Sequence, residues 1–170
     1  TAEEWGDDEE DEPPLSEADR ASLAQEVKDL EAFRQLALSI TQNEKGKALL
    51  TALGRAFGDA EKLGASRKAL IFTESRKTQD YLQRLLAASP FSEGIVLFNG
   101  SNTDERSKAI YAEWLKANAG TDKITGSRTA DMRSALVEYF ERRGTIMIAT
   151  EAGAEGINLQ FCSLVVNYDL

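Results

Sequence analysis

The spacing of hydrophobic positions changes partway along the chain. Over residues 16–40, Leu23, Val27, Leu30, Phe33, Leu36, Leu38 and Ile40 recur near helical spacing, which predicts a long amphipathic helix. Ser16 is a good N-cap for it, and Asp19, three residues on, can reciprocate as in a capping box. A second helix is expected over 44–63, with Leu49, Leu50, Leu53, Phe57 and Leu63 as its stripe and Gly64 as its C-cap. From residue 68 short, mainly apolar runs take over, at 68–73, 95–98, 145–150 and 164–168. Between them lie helical stretches at 76–88, 104–118 and 130–142; in the first of these Tyr81, Leu82, Leu85 and Leu86 face inward. Strands that read as continuous apolar runs and alternate with helices imply a parallel sheet buried on both faces. The expected fold class is therefore α/β, a three-layer parallel sheet with helices on both faces and right-handed crossovers.

Composition narrows the chemistry. A chain of 170 residues, 42% hydrophobic and 29% charged, has enough length for a domain with a sizeable core. No apolar run approaches the roughly 20 residues of a membrane span. There is no histidine, which excludes Ser-His-Asp and Cys-His catalysis and histidine metal sites within this sequence. The single cysteine, Cys162, cannot form an internal disulfide and sits in an apolar stretch, where a small buried hydrophobe is the expectation; this fits a reducing, cytoplasmic setting. The net charge of −9 is concentrated at the start: residues 1–12 carry eight acids and no base, leaving 21 acids against 20 bases elsewhere. Residues 1–14 are expected to be acidic and disordered, with 15–66 a helical extension and 67–170 the α/β domain.

In a parallel sheet, ligands gather beyond the carboxyl ends of the strands. Three polar groups fall there: Thr73-Glu74-Ser75, Asn99-Gly100-Ser101 and Thr150-Glu151-Ala152-Gly153. Hydroxyls, small residues and helix N-terminal amides suit phosphate contacts, and the same hydroxyls suit helix caps. There is no GxxxxGK[ST], since Gly46-Lys47 is followed by Ala48, and no acidic box of the metal-holding kind. Arg142-Arg143 is the one basic pair resembling a catalytic finger, but cations at a helix C-terminus are favoured by the dipole alone. NGSNTDERSKAIYAEW and TGSRTADMRSALVEYF share a GS, an acid, an arginine and an apolar helix, so the second reads as a repeat of the first helix start.

The wording of four segments is more specific. TEAGAEGINLQ at 150–160, followed by VVNYDL, resembles motif V of superfamily 2 helicases, in its Snf2/RapA-type bacterial branch. RKALIFTESRKTQDYLQ at 67–83 resembles motif IV, and LFNGS at 97–101 and GSRTADMRSALVEYF at 126–140 extend the likeness. The resemblance implies the second RecA-like domain of an ATP-dependent helicase or translocase, here a fragment that stops before the domain's last strand. It implies phosphate contacts by Thr73, Ser75, Gly100, Ser101 and Thr150, and an ATP-facing, coupling role for Glu151, Glu155, Gly156 and Asn158. It further implies ATP and Mg as cofactors of a full-length protein, with none bound and no hydrolysis by this piece, which contains no catalytic residue and no metal ligand. The expected partners are DNA, as a duplex, and an N-terminal RecA-like domain of the same chain; no membrane is expected, and an exposed sheet edge could lead to self-association. The competing expectations are a non-catalytic α/β interaction module and a nucleotide-sugar transferase domain.

Overall fold

The computed structural model describes residues 16–39, 43–154 and 156–169, with the backbone alone at 37–39, 151 and 152. It forms two compact units, Thr1–Asn43 and Glu44–Leu170. The expected acidic segment 1–14 lies outside the described residues.

The first unit carries helix α1, Glu17–Ser39. Its start is reciprocal, as expected: the Asp19 amide donates to Ser16 Oγ at 3.1 Å, and the Ser16 amide donates to Asp19 Oδ2 at 3.2 Å. Leu23, Val27, Leu30, Phe33 and Leu36 are all exposed.

The second unit runs α2 (Glu44–Lys62), β1 (Ala69–Thr73), α3 (Arg76–Ala87), β2 (Ile95–Phe98), α4 (Glu105–Ala117), α5 (Arg128–Arg142), β3 (Ile146–Thr150), α6 (Glu151–Ala154) and β4 (Leu164–Asn167). The strands form one parallel sheet in the order β2-β3-β1-β4. The α/β architecture is the one expected. Within the sequence-derived segment 15–66, α1 falls in the first unit and α2 in the second. The stretch after β3, read from sequence as a loop from residue 151, opens with one helical turn, α6.

Alternation along the strands divides the core into two layers. Ala69, Ile71, Ile95, Leu97, Ile146 and Ile148 point to one face, where Leu49, Leu53 and Phe57 of α2 and Leu82 and Leu86 of α3 cover them. Leu70, Val96, Phe98, Met147 and Ala149 point to the other, beneath Ile110 and Trp114 of α4 and Met132, Leu136 and Phe140 of α5. Each such aliphatic or aromatic side chain contributes about 1.5–3 kcal/mol on full burial, so the sheet is clamped from both sides. Gly64 takes φ +69°, the left-handed conformation that lets the Ala65 amide reach back to Ala60 O at 2.8 Å and end α2.

Polar contacts join α4 and α5 over this second layer. Trp114 Nε1 donates to Glu138 Oε2 at 2.9 Å, joining α4 to α5. Arg142 pairs with Glu138 at 2.9 Å, and Arg143 with Glu113 at 2.8 Å. The basic pair is thus engaged on the helix surface.

Candidate functional site

Register brings the three strand-end groups onto one rim. Thr73 of β1 is the direct partner of Thr150 of β3. Phe98 of β2 pairs with Ala149, so Asn99 follows beside Thr150. Phe72 pairs with Asn167 on the other side, which places Asp169 close by. Among the described residues the carboxyl ends of all four strands line the same edge.

The candidate residues differ in how they meet that edge. Thr73 is fully buried, and its hydroxyl donates to Asp169 Oδ2 at 2.6 Å. The Glu74 amide donates to the same oxygen. Thr150 is 6% exposed. Ser75 is exposed and caps α3, its Oγ accepting from the Thr78 amide at 3.1 Å. Gly100 and Ser101 are exposed, and a Cβ on Gly100 would meet nothing within 4 Å. The Ser101 amide and hydroxyl both donate to Asn99 Oδ1 at 3.1 Å. Glu151 begins α6, with its side chain outside the described residues, as is the whole of Glu155. Gly156 is exposed at φ +76°, and Asn158 is exposed with Oδ1 accepting from the Gln160 amide at 3.2 Å.

Behind the rim lies a buried amide network. Gln79 Nε2 donates to Ile148 O at 2.8 Å and to Phe98 O at 3.2 Å. Its Oε1 accepts from Asn99 Nδ2 at 2.9 Å. Asn99 Oδ1 also accepts from the Asn102 amide at 2.8 Å, and the Asn99 amide donates to Asn102 Oδ1 at 2.7 Å. Asn102 adopts φ 45°, a left-handed conformation that asparagine tolerates better than most residues. Gly153 presses on this loop: a Cβ there would lie 2.7 Å from Asn99 Cα. Gln79 and Asn102 escape a motif-based reading. The signal for Gln79 was present, since it shares a helical stripe with Leu82 and Leu86, at i+3 and i+7.

A groove runs between α5 and residues 156–158. It has a volume of about 570 Å³ and is lined by Lys123, Arg133, Ser134, Arg142, Ile157 and Asn158, with Glu138 and Glu141 opposing their charge. The Arg133 guanidinium lies over the Phe98 ring, 5.4 Å from its centroid. At the entry to α5, Asp131 accepts from Thr125 Oγ1 at 2.7 Å, the Thr125 amide at 2.9 Å and the Gly126 amide at 3.2 Å. Among the described residues no group of three or more His, Cys, Asp and Glu is placed to hold a metal ion. No described helix is long and apolar enough to cross a membrane.

Asp169 and Asp131 each carry a pH dependence. The Thr73 hydroxyl, then the Glu74 amide and the Lys45 charge, hold Asp169 below its ordinary pKa against the opposing effect of burial. The Thr125 hydroxyl and amide, with the Gly126 amide, do the same for Asp131. A carboxylate whose folded pKa is depressed stabilises fully above its unfolded value, and that stabilisation is lost as pH falls through the folded value. Resistance to urea should therefore hold from neutral pH to the ordinary carboxylate range, about pH 4, and fall below it. The double substitution Asp131→Asn and Asp169→Asn should lower the neutral-pH midpoint and flatten the acid decline; an unchanged acid slope would refute these assignments.

Comparison with known proteins adds an independent finding. Residues 44–170 match the family described as "Helicase conserved C-terminal domain". A Bacillus subtilis protein described as an uncharacterised ATP-dependent helicase, YqhH, is 38% identical over 103 residues, covering 61% of this chain and 14% of that protein. The Saccharomyces cerevisiae ATP-dependent RNA helicase ROK1 is 33% identical over 91 residues, 52% of this chain and 16% of that one. An Aspergillus fumigatus Dicer-like protein 2 is 31% identical over 102 residues, 59% of this chain and 7% of that one. The chain thus spans a small part of the length of the curated relatives it matches.

Proposed function

The chain belongs to the helicase conserved C-terminal domain family, and from that membership we propose that it is the second motor domain of an ATP-dependent, Snf2-like translocase acting on duplex DNA. The observation that carries the reading is the rim itself, in which the register of β1 with β3 and of β3 with β2 sets three polar strand ends side by side. Ser75, Gly100 and Ser101 reach solvent there and take phosphate oxygens. Thr73 and Thr150, expected from sequence to contact phosphate themselves, are buried and in this reading instead shape the backbone that those oxygens meet.

In this reading Gly156 and Asn158, with Glu151 and Glu155, face ATP held against an N-terminal RecA-like domain. An exposed positive-φ glycine and an exposed amide fit one wall of such a cleft. In this reading Mg is held by the facing domain, and this chain alone does not hydrolyse ATP. ATP supplies the free energy of the cycle. What this domain does is bind the strand, orient one side of the nucleotide, and transmit closure between them along the single stretch from Thr150 to Asn158. A cytoplasmic setting and self-association through the outer edge of β4, where Val165 is exposed, belong to the same proposal.

The name of the ROK1 relative makes RNA the second substrate to test. ATP hydrolysis by the full-length protein should rise on adding duplex DNA, and the effect should weaken steeply between about 50 and 200 mM salt. Stimulation by RNA alone would overturn the DNA assignment and leave the motor in place. No stimulation by either would sink the motor.

A further inference from the structure

We propose that Gln79 is a positioning residue, which with Asn99 and Asn102 locks the loop after β2 to the end of β3 so that the two candidate phosphate loops move as one piece. The inference rests on the nucleic-acid reading above, because it concerns how that rim keeps its shape.

Gln79 is 1% exposed and faces the core from α3 alongside Leu82 and Leu86. An apolar residue there would avoid the cost of desolvating an amide. The amide is instead used at both ends. Its nitrogen holds the carbonyls of Phe98 and Ile148, one from each neighbouring strand, and its oxygen holds Asn99. Asn99 then organises its own loop, accepting from the Ser101 amide, the Ser101 hydroxyl and the Asn102 amide. On the far side Gly153 lies directly against the Asn99 backbone. One side chain therefore links α3, β2, β3 and the loop that presents Gly100 and Ser101, with α6 wedged behind. A fully satisfied buried network of this kind favours one geometry over its neighbours. Misplacing a positioned group by about 1 Å can cost roughly a hundredfold in the rate of a reaction it serves, so a rim that meets a ligand gains from being fixed.

The test is equilibrium binding of labelled duplex DNA, and separately of RNA, by the full-length protein. Gln79→Leu should raise Kd roughly tenfold or more, and Asn99→Ala should do the same. Because both act through one loop, the double variant should bind no worse than the weaker of the two singles. Leu53→Ala, which leaves a core cavity on the α2 face, should lower the melting temperature and leave Kd unchanged, which separates positioning from stability. Should Gln79→Leu not fold, Gln79→Met, close in shape and length but without the amide donor and acceptor, carries the same test. Wild-type binding by Gln79→Leu, or losses that multiply in the double variant, would overturn the inference while leaving the rim's function standing. Failure of the wild type to bind either nucleic acid would overturn the functional reading itself.

Discussion

Gly153→Ala is expected to destabilise the domain by about 1–3 kcal/mol and to weaken the nucleic-acid-stimulated ATP hydrolysis proposed for the full-length protein by more than the lost stability accounts for. Two effects oppose each other. Alanine in place of glycine inside a helix ordinarily gains about 1 kcal/mol, and Gly153 lies in α6. Against that, the new methyl would sit 2.7 Å from Asn99 Cα, 2.9 Å from Asn99 C and 2.9 Å from Thr150 Oγ1. Two of those atoms are backbone, held in place by the Gln79 and Asn102 hydrogen bonds, so no flexible side-chain end can give way. α6 has a single turn, so little helix propensity is available to offset the clash. The clash wins, and it resolves by moving the loop after β3 away from the loop after β2. A melt should show the loss at roughly 2–4 °C per kcal/mol for a domain of this size. Gly100→Ala is the matched control, since a Cβ there meets nothing, and it should melt as the wild type does. A melting temperature for Gly153→Ala equal to or above the wild type would show that the two loops are not packed as described.

The parts of this fold that could be read from the sequence are those where one local signal has one structural cause. Continuous apolar runs such as Ile95–Phe98 and Ile146–Thr150 mark strands covered on both faces, and all nine of their residues are buried. Ser16 with Asp19 marked a helix start that hydrogen bonds realise, and the GS-led stretches before α4 and α5 marked two helices that pack together over the second core layer. Sheet order was not legible, because no local term says that β1 lies between β3 and β4. The stripe of α2 said that one face is covered without saying by what; its cover is the layer of Ile71, Leu82 and Ile148. The rim's polar groups could be named, but their exposure could not. Thr73 and Ser75 look alike in sequence, yet one hydroxyl is buried against Asp169, 96 residues away, and the other is at the surface. The Gln79 network was hidden for the same reason, its partners lying 19, 20 and 69 residues distant.

Phe140→Ala should cost about 3–5 kcal/mol, a large share of the roughly 5–15 kcal/mol that holds a typical domain together. Phe140 has no exposed surface and stands at the centre of the second core layer. Its ring meets Phe161 with centroids 5.5 Å apart, and Lys68 Nζ lies 5.4 Å from the ring centroid. The same ammonium donates to Phe140 O at 2.8 Å and Gly144 O at 2.7 Å, closing the end of α5 over β1. Burial pushes the Lys68 pKa down from its ordinary value. Truncation leaves a cavity under all of these contacts at once. The loss should be uneven. The strands keep their ladder and the α2–α3 layer, whereas Phe161 loses its aromatic neighbour and the stretch from Gly156 to Cys162 loses much of what holds it to the sheet. Hydrogen exchange and limited proteolysis at temperatures well below the melt should therefore open residues 156–163 first. That stretch carries Gly156 and Asn158, so the coupling between nucleotide and strand proposed for the full-length protein should fail before the fold does. Phe140→Leu, which refills most of the space, should restore both stability and protection. A loss under about 1 kcal/mol, or opening spread evenly over the sheet, would mean that Phe140 is not the residue that ties the loop after β3 to α5.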